Sequence, residues 1–520
     1  MRERLFGTDG MRGRFGEPPL DRLTVTALGR QLALWLAGRS TSAGQPRVIL
    51  GGDTRESTPE LCGWIAAGLA AGGADVSYAG VIPTPGVSHL VAHLAAAAGV
   101  VVSASHNPYP DNGVKLLDAL GRKWSAEDEA ELEERLLAEL SGAAGAAGRL
   151  GTGGPMSGTG IPRSGSGGAM SETGGPMIGA RSPGSGTGVP MTGTGVPPGG
   201  AEPAVEPGLR EIYLHHLAAT ARAAGQQGGA GLAAAERPLA GLRVVLDAGN
   251  GAASRYAGEL FEALGAEVVR LLCAAPDGRN VNLHCGSTAP ESMAAQTVAV
   301  GAHLGVAFDG DADRCILADE RGGVRDGDAI LYLWATSLLA QGLLEPPRIV
   351  ATSMSNLGLE RALARHGIGV VRCGVGDRAV VETMRRGGIL LGGEQSGHIV
   401  RLDLAATGDG LLTAAQIAMI TAKASGAAQP LSALLAGFHR YPQVLLNVPV
   451  ARKPDLASVP GVAAAALGVE RALGADGRLV LRYSGTEPLA RVMIEGPDQA
   501  AIETMAARLA AVIAGELGSP

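Results

Sequence analysis

Short apolar runs in this chain repeatedly break into glycine- or aspartate-rich loops and then into helical patterns. That rhythm restricts the fold more than any other feature. Arg47-Val48-Ile49-Leu50, Arg243-Val244-Val245-Leu246, Ile349-Val350-Ala351, Val370-Val371 and Ile389-Leu390-Leu391 are such runs. Strand, loop and helix in recurrence predict α/β architecture with parallel sheets. In such sheets the reactive loops collect at the carboxyl ends of strands. At 520 residues the chain exceeds a single core, and about three or four domains are expected. From about Pro442 the pattern changes. Leu445–Val450, Arg478–Leu481 and Ala490–Ile494 read as strands around a loop, closed by an amphipathic helix over Gln499–Ala514. This predicts a small separate α+β domain.

Residues 141–207 break the rhythm. They are dominated by Gly, Ala, Ser, Thr, Pro and Met, and they repeat a short unit, as in Gly151-Thr152-Gly153-Gly154-Pro155-Met156 and Gly186-Thr187-Gly188-Val189-Pro190-Met191. With almost no large apolar side chains the segment cannot offset the entropy of ordering, so a disordered, dispensable insertion is expected. The divisions that follow are 1–140, 208–322, 323–441 and 442–520 around this insertion.

Bulk properties exclude several functions. Lys and Arg number 43 against 50 Asp and Glu, a net charge of −7, which argues against a nucleic-acid partner held by a basic surface. A locally basic pocket for a small anion stays compatible with this balance. The five cysteines are scattered, odd in number and lack a C-x-x-C pair, so neither a disulfide framework nor a zinc site is predicted. The start MRERLFGTDG has no apolar stretch of signal-peptide type. Val87–Ala104 approaches membrane-span length but carries Ser88, His89, His93 and Gly99, and reads as a helix (Val87–Ala98) feeding a strand. A cytoplasmic protein without a membrane partner is expected; monomer and homodimer both fit.

Ser105 stands where the apolar run Val100-Val101-Val102 passes into a polar turn closed by Asn107-Pro108. A serine held there can take and return an acyl or phosphoryl group, with His106 as a neighbouring base, or can simply close a strand. The chain lacks the G-x-S-x-G elbow of a serine hydrolase. Farther on, Val306-Ala307-Phe308 runs into Asp309-Gly310-Asp311-Ala312-Asp313-Arg314. Carboxylates at i, i+2 and i+4 of an extended chain share one side, and a divalent cation is their natural counter-charge. An EF-hand would need glycine where Arg314 stands, and helical flanks. Oxygen-only ligation points to Mg²⁺, an ion suited to phosphate chemistry.

Two further loops suit a phosphosugar, though each taken alone also reads as an ordinary glycine-rich turn or hairpin loop. In Gly392-Gly393-Glu394-Gln395-Ser396-Gly397-His398, Glu394 and Ser396 suit vicinal sugar hydroxyls. In Arg482-Tyr483-Ser484-Gly485-Thr486-Glu487-Pro488, with Arg491 beyond, hydroxyls, amides and guanidinium groups suit a phosphate. The N-terminal Phe6-Gly7-Thr8-Asp9-Gly10-Met11-Arg12-Gly13 adds a glycine-rich loop bearing Arg12.

Taken in order, FGTDGMRG, SASHNP followed by YPDNGVK, DGDADR, GGEQSGH and RYSGTEP resemble the α-D-phosphohexomutases over the whole chain except the insertion. The resemblance implies four domains around a central cleft: three similar α/β units and a smaller C-terminal α+β unit. It implies that Ser105 is the phosphoserine and that Asp309, Asp311 and Asp313 ligate Mg²⁺ with a phosphoserine oxygen. Glu394 and Ser396 match the sugar pair; Arg482, Ser484, Gly485, Thr486 and Arg491 match the distal phosphate cradle. Arg12, Lys115, Arg314 and His398 match residues around the reacting hydroxyl, with Lys115 or His398 in proton transfer, and His106 then becomes a loop-positioning residue. Gln395, Ala104 and Asn282–Thr288 are similar to the branch that interconverts glucosamine 6-phosphate and glucosamine 1-phosphate, on the route to UDP-N-acetylglucosamine and the cell wall. Mannose and glucose phosphates are the alternative substrates. Gly52, Gly374, Tyr483 and Ala289 depart from the family's common residues without touching the nucleophile or the aspartates.

Overall fold

The computed structural model describes residues 4–7, 9–39, 44–150, 200–226, 236–425, 430–484 and 487–518. The first unit is built on the strand Arg47–Gly52, with Asp75–Val81 and Ala98–Val102 parallel to it on either side. Its fourth strand, Asp111–Leu117, returns antiparallel against Ala98–Val102. The second unit repeats the plan. Arg243–Asp247 lies between Glu267–Leu272 and Leu304–Phe308, and Cys315–Asp319 returns antiparallel. In the third, Arg348–Thr352 lies between Gly369–Cys373 and Leu391–Gly393, with Ile399–Arg401 antiparallel. Counted within each unit, the spatial order is 4-3-1-2 three times.

The expectation of parallel sheets therefore holds for three strands of each unit and fails at the fourth. The physical reason is the connection. Residues 103–110, 309–314 and 394–398 are too few for a parallel crossover, which needs a dozen or more, and they suffice to reverse the chain. Phe6–Gly7 and Gly10–Arg14 extend the first sheet beyond Asp111–Leu117, also antiparallel. The inner strands read as near-continuous apolar runs because helices cover both faces. Val48, Ile49 and Leu50 are fully buried, as are Val101 and Val102.

The C-terminal unit is different. Leu489–Glu495 is the centre of an all-antiparallel sheet between Gln443–Pro449 and Arg478–Tyr483. The helices Pro460–Leu473 and Gln499–Leu517 complete it. Asp498 caps the second of these, its carboxylate accepting from the Ala501 amide at 3.0 Å. Val492, Ile494, Ile502 and Leu509 form a core of its own. The α+β expectation agrees with this arrangement.

The α/β units do not meet across water. One buried apolar cluster joins Val87 and Leu90 of the first, Leu246 and Phe308 of the second, and Ile349 and Leu391 of the third. Tyr213 and Leu217, from the helix Leu209–Gln226, lie in the same cluster. The C-terminal unit docks on the third through Glu495, which accepts from the Asn356 side chain at 3.1 Å and the Leu357 amide at 3.2 Å.

Residues 151–199 of the expected insertion lie outside the described residues. At its edges the structure describes residues 141–150 and 200–207. The helix Ala126–Leu150 continues past Ser141 through a stretch whose alanines favour it and whose Gly142, Gly145 and Gly148 do not. At the other edge Glu202 accepts from the Tyr78 hydroxyl at 2.8 Å, and Glu206 pairs with Arg47 at 2.8 Å. The helix expected over Val87–Ala98 spans Thr84–His93. Among the described residues no helix is long and apolar enough to cross a membrane.

Candidate active site

The reversals that close the three α/β units carry the residues of interest: Ser105 in the first, the aspartates in the second, Glu394 to His398 in the third. Ser105 is buried and sits in the left-handed region at φ 54°. For a non-glycine residue that conformation is costly, and it persists only where neighbours over-determine it. Here they do. The Ser105 amide donates to Ser103 Oγ at 2.8 Å, and Ser103 Oγ donates to Asp53 at 2.6 Å. Fully buried Arg55 donates to four backbone carbonyls of the loop: Ser105 (3.0 Å), Asn107 (2.8 Å), Pro108 (2.5 Å) and Asp111 (2.9 Å). Asn282 of the second unit donates to the Ser105 carbonyl at 2.9 Å.

Held this way, Ser105 Oγ donates to Asp309 Oδ2 at 2.6 Å. Gly310 makes the approach feasible, because a Cβ there would stand 2.5 Å from the Ser105 carbonyl oxygen. The aspartate loop is not the extended chain that the i, i+2, i+4 spacing suggested. It curls, with Ala312 at φ 54°, and still brings one carboxylate oxygen from each of Asp309, Asp311 and Asp313 within 4.8 Å of the others. Lys115 Nζ donates to Asp311 Oδ2 at 2.7 Å and lies 3.6 Å from both Asp313 and Asp9. Burial alone would lower its pKa, but Asp311, Asp9 and Asp313 outweigh that and hold the ammonium charged. Burial and the carboxylates of Asp313 and Asp311 push Asp309 well above the usual range. Against burial, Lys115 and His398 hold Asp313 below it.

The donor set fits a hard divalent cation. Three buried carboxylates converge, and Asp311 Oδ1 and Asp313 Oδ1 have no hydrogen-bond partner. Orphaned buried carboxylate oxygens are expensive unless an ion takes them.

His398 faces this loop, its Nδ1 3.6 Å from Asp313 Oδ2. The Gly408 amide donates to Nε2 at 3.2 Å, which leaves Nδ1 as the proton-bearing atom of the neutral ring. Arg314 donates its amide to Asp309 Oδ1 at 3.2 Å, and its side chain opens on a cavity of about 520 Å³. Ser287 and Thr288 of the second unit and Glu394, Ser396 and Arg440 line the same cavity. Glu394 Oε1 accepts from the Gly376 amide at 3.0 Å, and Ser396 is exposed. Arg12 donates to the Ala104 carbonyl at 3.2 Å and to Asn107 Oδ1 at 3.3 Å, so it braces the serine loop from the N-terminal side.

In the C-terminal unit Arg482 and Arg491 sit directly opposite each other on neighbouring strands. Arg491 donates to Ser484 Oγ at 3.5 Å and to Glu487 at 3.1 Å. Burial, then the adjacent Arg491, lowers the pKa of Arg482. Like charges opposed across a strand pair destabilise it unless an anion lies between them. Gly485 and Thr486 lie outside the described residues.

The chain matches the phosphoglucomutase/phosphomannomutase family in four segments: alpha/beta/alpha domain I over residues 3–142, domain II over 213–323, domain III over 326–441 and the C-terminal domain over 445–512. It is 41% identical over 517 residues to a phosphoglucosamine mutase of Symbiobacterium thermophilum, covering 99% of each chain. The chain belongs to the phosphoglucosamine mutases. Among solved structures, a phosphoglucomutase/phosphomannomutase family protein from Burkholderia thailandensis shares the fold, with TM-score 0.70, 24% identity and coverage of 98% of this chain and 97% of that one. So does an Aspergillus fumigatus N-acetylphosphoglucosamine mutase solved with GlcNAc-6P and magnesium, with TM-score 0.58, 18% identity and coverage of 99% and 96%.

Within this phosphoglucosamine mutase fold, several residues at the site escaped the sequence reading. Lys123 of the first unit pairs with Asp9 and with Asp377 of the third. Burial alone would lower its pKa, but Asp377 and Asp9 raise it. Arg378 pairs with Glu129 at 2.8 Å beside it. Asp53 and Arg55 carried one usable signal, the Gly52-Asp53-Thr54-Arg55 turn directly after a strand. His106 comes within 3.4 Å of Ser105 Oγ. Burial, then Arg314 and Arg12, pushes its pKa down to about 4.

Proposed function

We propose that this chain interconverts glucosamine 6-phosphate and glucosamine 1-phosphate through a phosphorylated Ser105 and a bisphosphorylated sugar, within the cytoplasmic supply of UDP-N-acetylglucosamine. The observation that carries the reading is the buried contact of Ser105 Oγ with Asp309 at 2.6 Å, in loops whose backbones are fixed from two units. A nucleophile so placed can hand a phosphoryl group outward and receive one back without its loop rearranging.

Asp309, Asp311 and Asp313 are the residues that would hold Mg²⁺, which when bound neutralises charge on the transferring phosphoryl oxygens. Arg314, Arg12 and Lys115 add fixed positive charge beside the same oxygens. Proton transfer from the attacking sugar hydroxyl involves Lys115 or His398; Lys115, held charged by Asp311, Asp9 and Asp313, must first pass on its own proton. Glu394 and Ser396 hold vicinal sugar hydroxyls in the cavity of about 520 Å³, a volume suited to one phosphosugar. Arg482, Ser484, Gly485, Thr486 and Arg491 take the phosphate that is not reacting. The intermediate must turn end for end, so this cradle meets a phosphate on either end of the sugar. Guanidinium and hydroxyl groups tolerate that, since they read the phosphate and not the ring.

Mass spectrometry of the purified protein is expected to find phosphate on Ser105, and turnover is expected to be highest on glucosamine phosphates. Unchanged turnover in Ser105→Ala would overturn the mutase reading. Preference for glucose or mannose phosphates would overturn the amino-sugar assignment alone.

A further inference from the structure

Scattered in sequence, two of the five cysteines meet in the second unit. Cys273, half-buried at the end of the strand Glu267–Leu272, and Cys285, buried, lie with Asp247 so that one donor atom from each falls within 4.8 Å of the others. The absence of any C-x-x-C spacing hid this pair. Both thiols are free. Asn250 donates to Cys285 Sγ at 3.8 Å.

The segment between the two cysteines is strained and sits on the catalytic loops. Cys273, Asn282 and His284 are three of the seven non-glycine residues with positive φ among the described residues, at 47° to 56°, and Asn250, which donates to Cys285, is a fourth. Strain of this kind concentrates where two arrangements of a segment compete. Asn282 holds the Ser105 and Asn107 carbonyls at 2.9 and 3.3 Å. The Gly278 carbonyl accepts from the Glu56 amide at 2.9 Å. Directly after Cys285, Gly286 is pressed so closely on the strand before the aspartate loop that a Cβ would lie 2.5 Å from the Phe308 carbonyl oxygen.

We propose that Cys273 and Cys285 are a reversible oxidation site, joined by peroxide into a disulfide that lowers turnover. Cys273, the more accessible thiol, attacks one peroxide oxygen as thiolate. The O–O bond breaks, one oxygen leaves as water and the other stays on sulfur as a sulfenic acid. Cys285 then attacks that sulfur and expels the second oxygen as water, so two thiols and one peroxide give one disulfide and two waters. A cation is the weaker occupant of this cluster. Both Asp247 oxygens already accept backbone amides, from Gly249 at 2.9 Å and Gly286 at 3.0 Å. Burial, then Asp247, raises both thiols above their ordinary range, which disfavours the two thiolates that a metal needs and leaves an uncharged cross-link as the better product. The same burial makes the reaction slow, so the pair answers to sustained oxidant.

An S–S bond of about 2.0 Å draws the two sulfurs together from non-bonded contact. Cys285 and Gly286 then shift against Phe308, next to Asp309, and Asn282 shifts against the serine loop. A misplacement of about 1 Å at a reacting centre costs up to about a hundredfold in rate.

The test uses the full chain. Reduced protein is first assayed on glucosamine phosphates, then treated with hydrogen peroxide, alkylated and digested for mass spectrometry, with turnover read on the same samples. The expected result is a Cys273–Cys285 peptide pair lighter by two hydrogens and a fall in turnover of roughly tenfold or more, both reversed by dithiothreitol. Cys273→Ser is expected to keep basal turnover and lose the sensitivity, and Cys373→Ser to keep both. No such peptide pair under peroxide that oxidises Cys373, or a linked protein with unchanged turnover, or equal sensitivity in Cys273→Ser, would overturn the proposal. The mass readout stands apart from the mutase reading, which fails separately if the reduced protein does not turn over.

Discussion

Ser105 and Asp309 meet through a buried 2.6 Å hydrogen bond inside loops that Arg55, Asn282 and Lys115 pin from several sides. By contrast, Arg482 and Arg491 stand partly exposed on an antiparallel strand pair, where Arg491 reaches Ser484 and Glu487 at 3.5 and 3.1 Å. One end of the proposed substrate path is preorganised to about the precision that phosphoryl transfer demands. The other presents charge without a fixed frame. A reaction in which one phosphate reacts while the other is merely held, and the two then exchange places, calls for this asymmetry.

Substitutions can break the comparison. The largest effect is expected for Ser105→Ala, with turnover down by at least about 10⁴-fold and sugar-phosphate binding retained in calorimetry. Lys115→Met comes next. It leaves Asp311 buried without its ammonium partner, so a loss of about 3–5 kcal/mol in denaturant unfolding is expected, with turnover down by roughly 10²–10³-fold. Arg55→Lys touches no substrate and tests positioning. A lysine cannot bridge four carbonyls, so kcat should fall by roughly 10- to 100-fold with KM little changed. Arg491→Ala should do the reverse, raising KM by about tenfold and leaving kcat within about twofold. If Arg491→Ala lowered kcat as far as Arg55→Lys does, the contrast between the two ends would be wrong. Smallest of all, replacing residues 152–199 by a short flexible linker is expected to move kcat, KM and midpoint temperature little, within about twofold and a few degrees. A collapse of either end would show that the segment supports the cleft.

What could be read from the chain alone follows physical locality. Asp309, Asp311 and Asp313 announce themselves because their chemistry is packed into five consecutive residues, and Ser105 because a strand end and a turn mark it. The α/β rhythm and the C-terminal change of pattern were equally local. Lys123, Asp9 and Asp377 were not legible, since an ion pair between positions 123 and 377 exists only once two units dock. Arg55 follows a strand in a turn, and its role exists only once the carbonyls it gathers, from Ser105 to Asp111, are placed around it. The antiparallel fourth strands were missed because an apolar run carries no sign of its direction. The cysteine pair was missed for the same reason as Lys123: residues 273 and 285 are neighbours in space and not in any short motif.

The 4-3-1-2 order, repeated in three units, places Ser105, the carboxylate cluster and the proposed sugar-binding pair each on its own reversal between a third and a fourth strand. The machine is thus modular at the level of its working parts. Each tool has a separate handle, and the handles share one apolar hub. On the proposed reading, a lineage can exchange the sugar it accepts by editing residues 394–396 while Ser105, the aspartates and His398 stay untouched. Drift in one handle reaches the other two through that hub and through the polar contacts between units, such as Lys115 with Asp311 and Lys123 with Asp377.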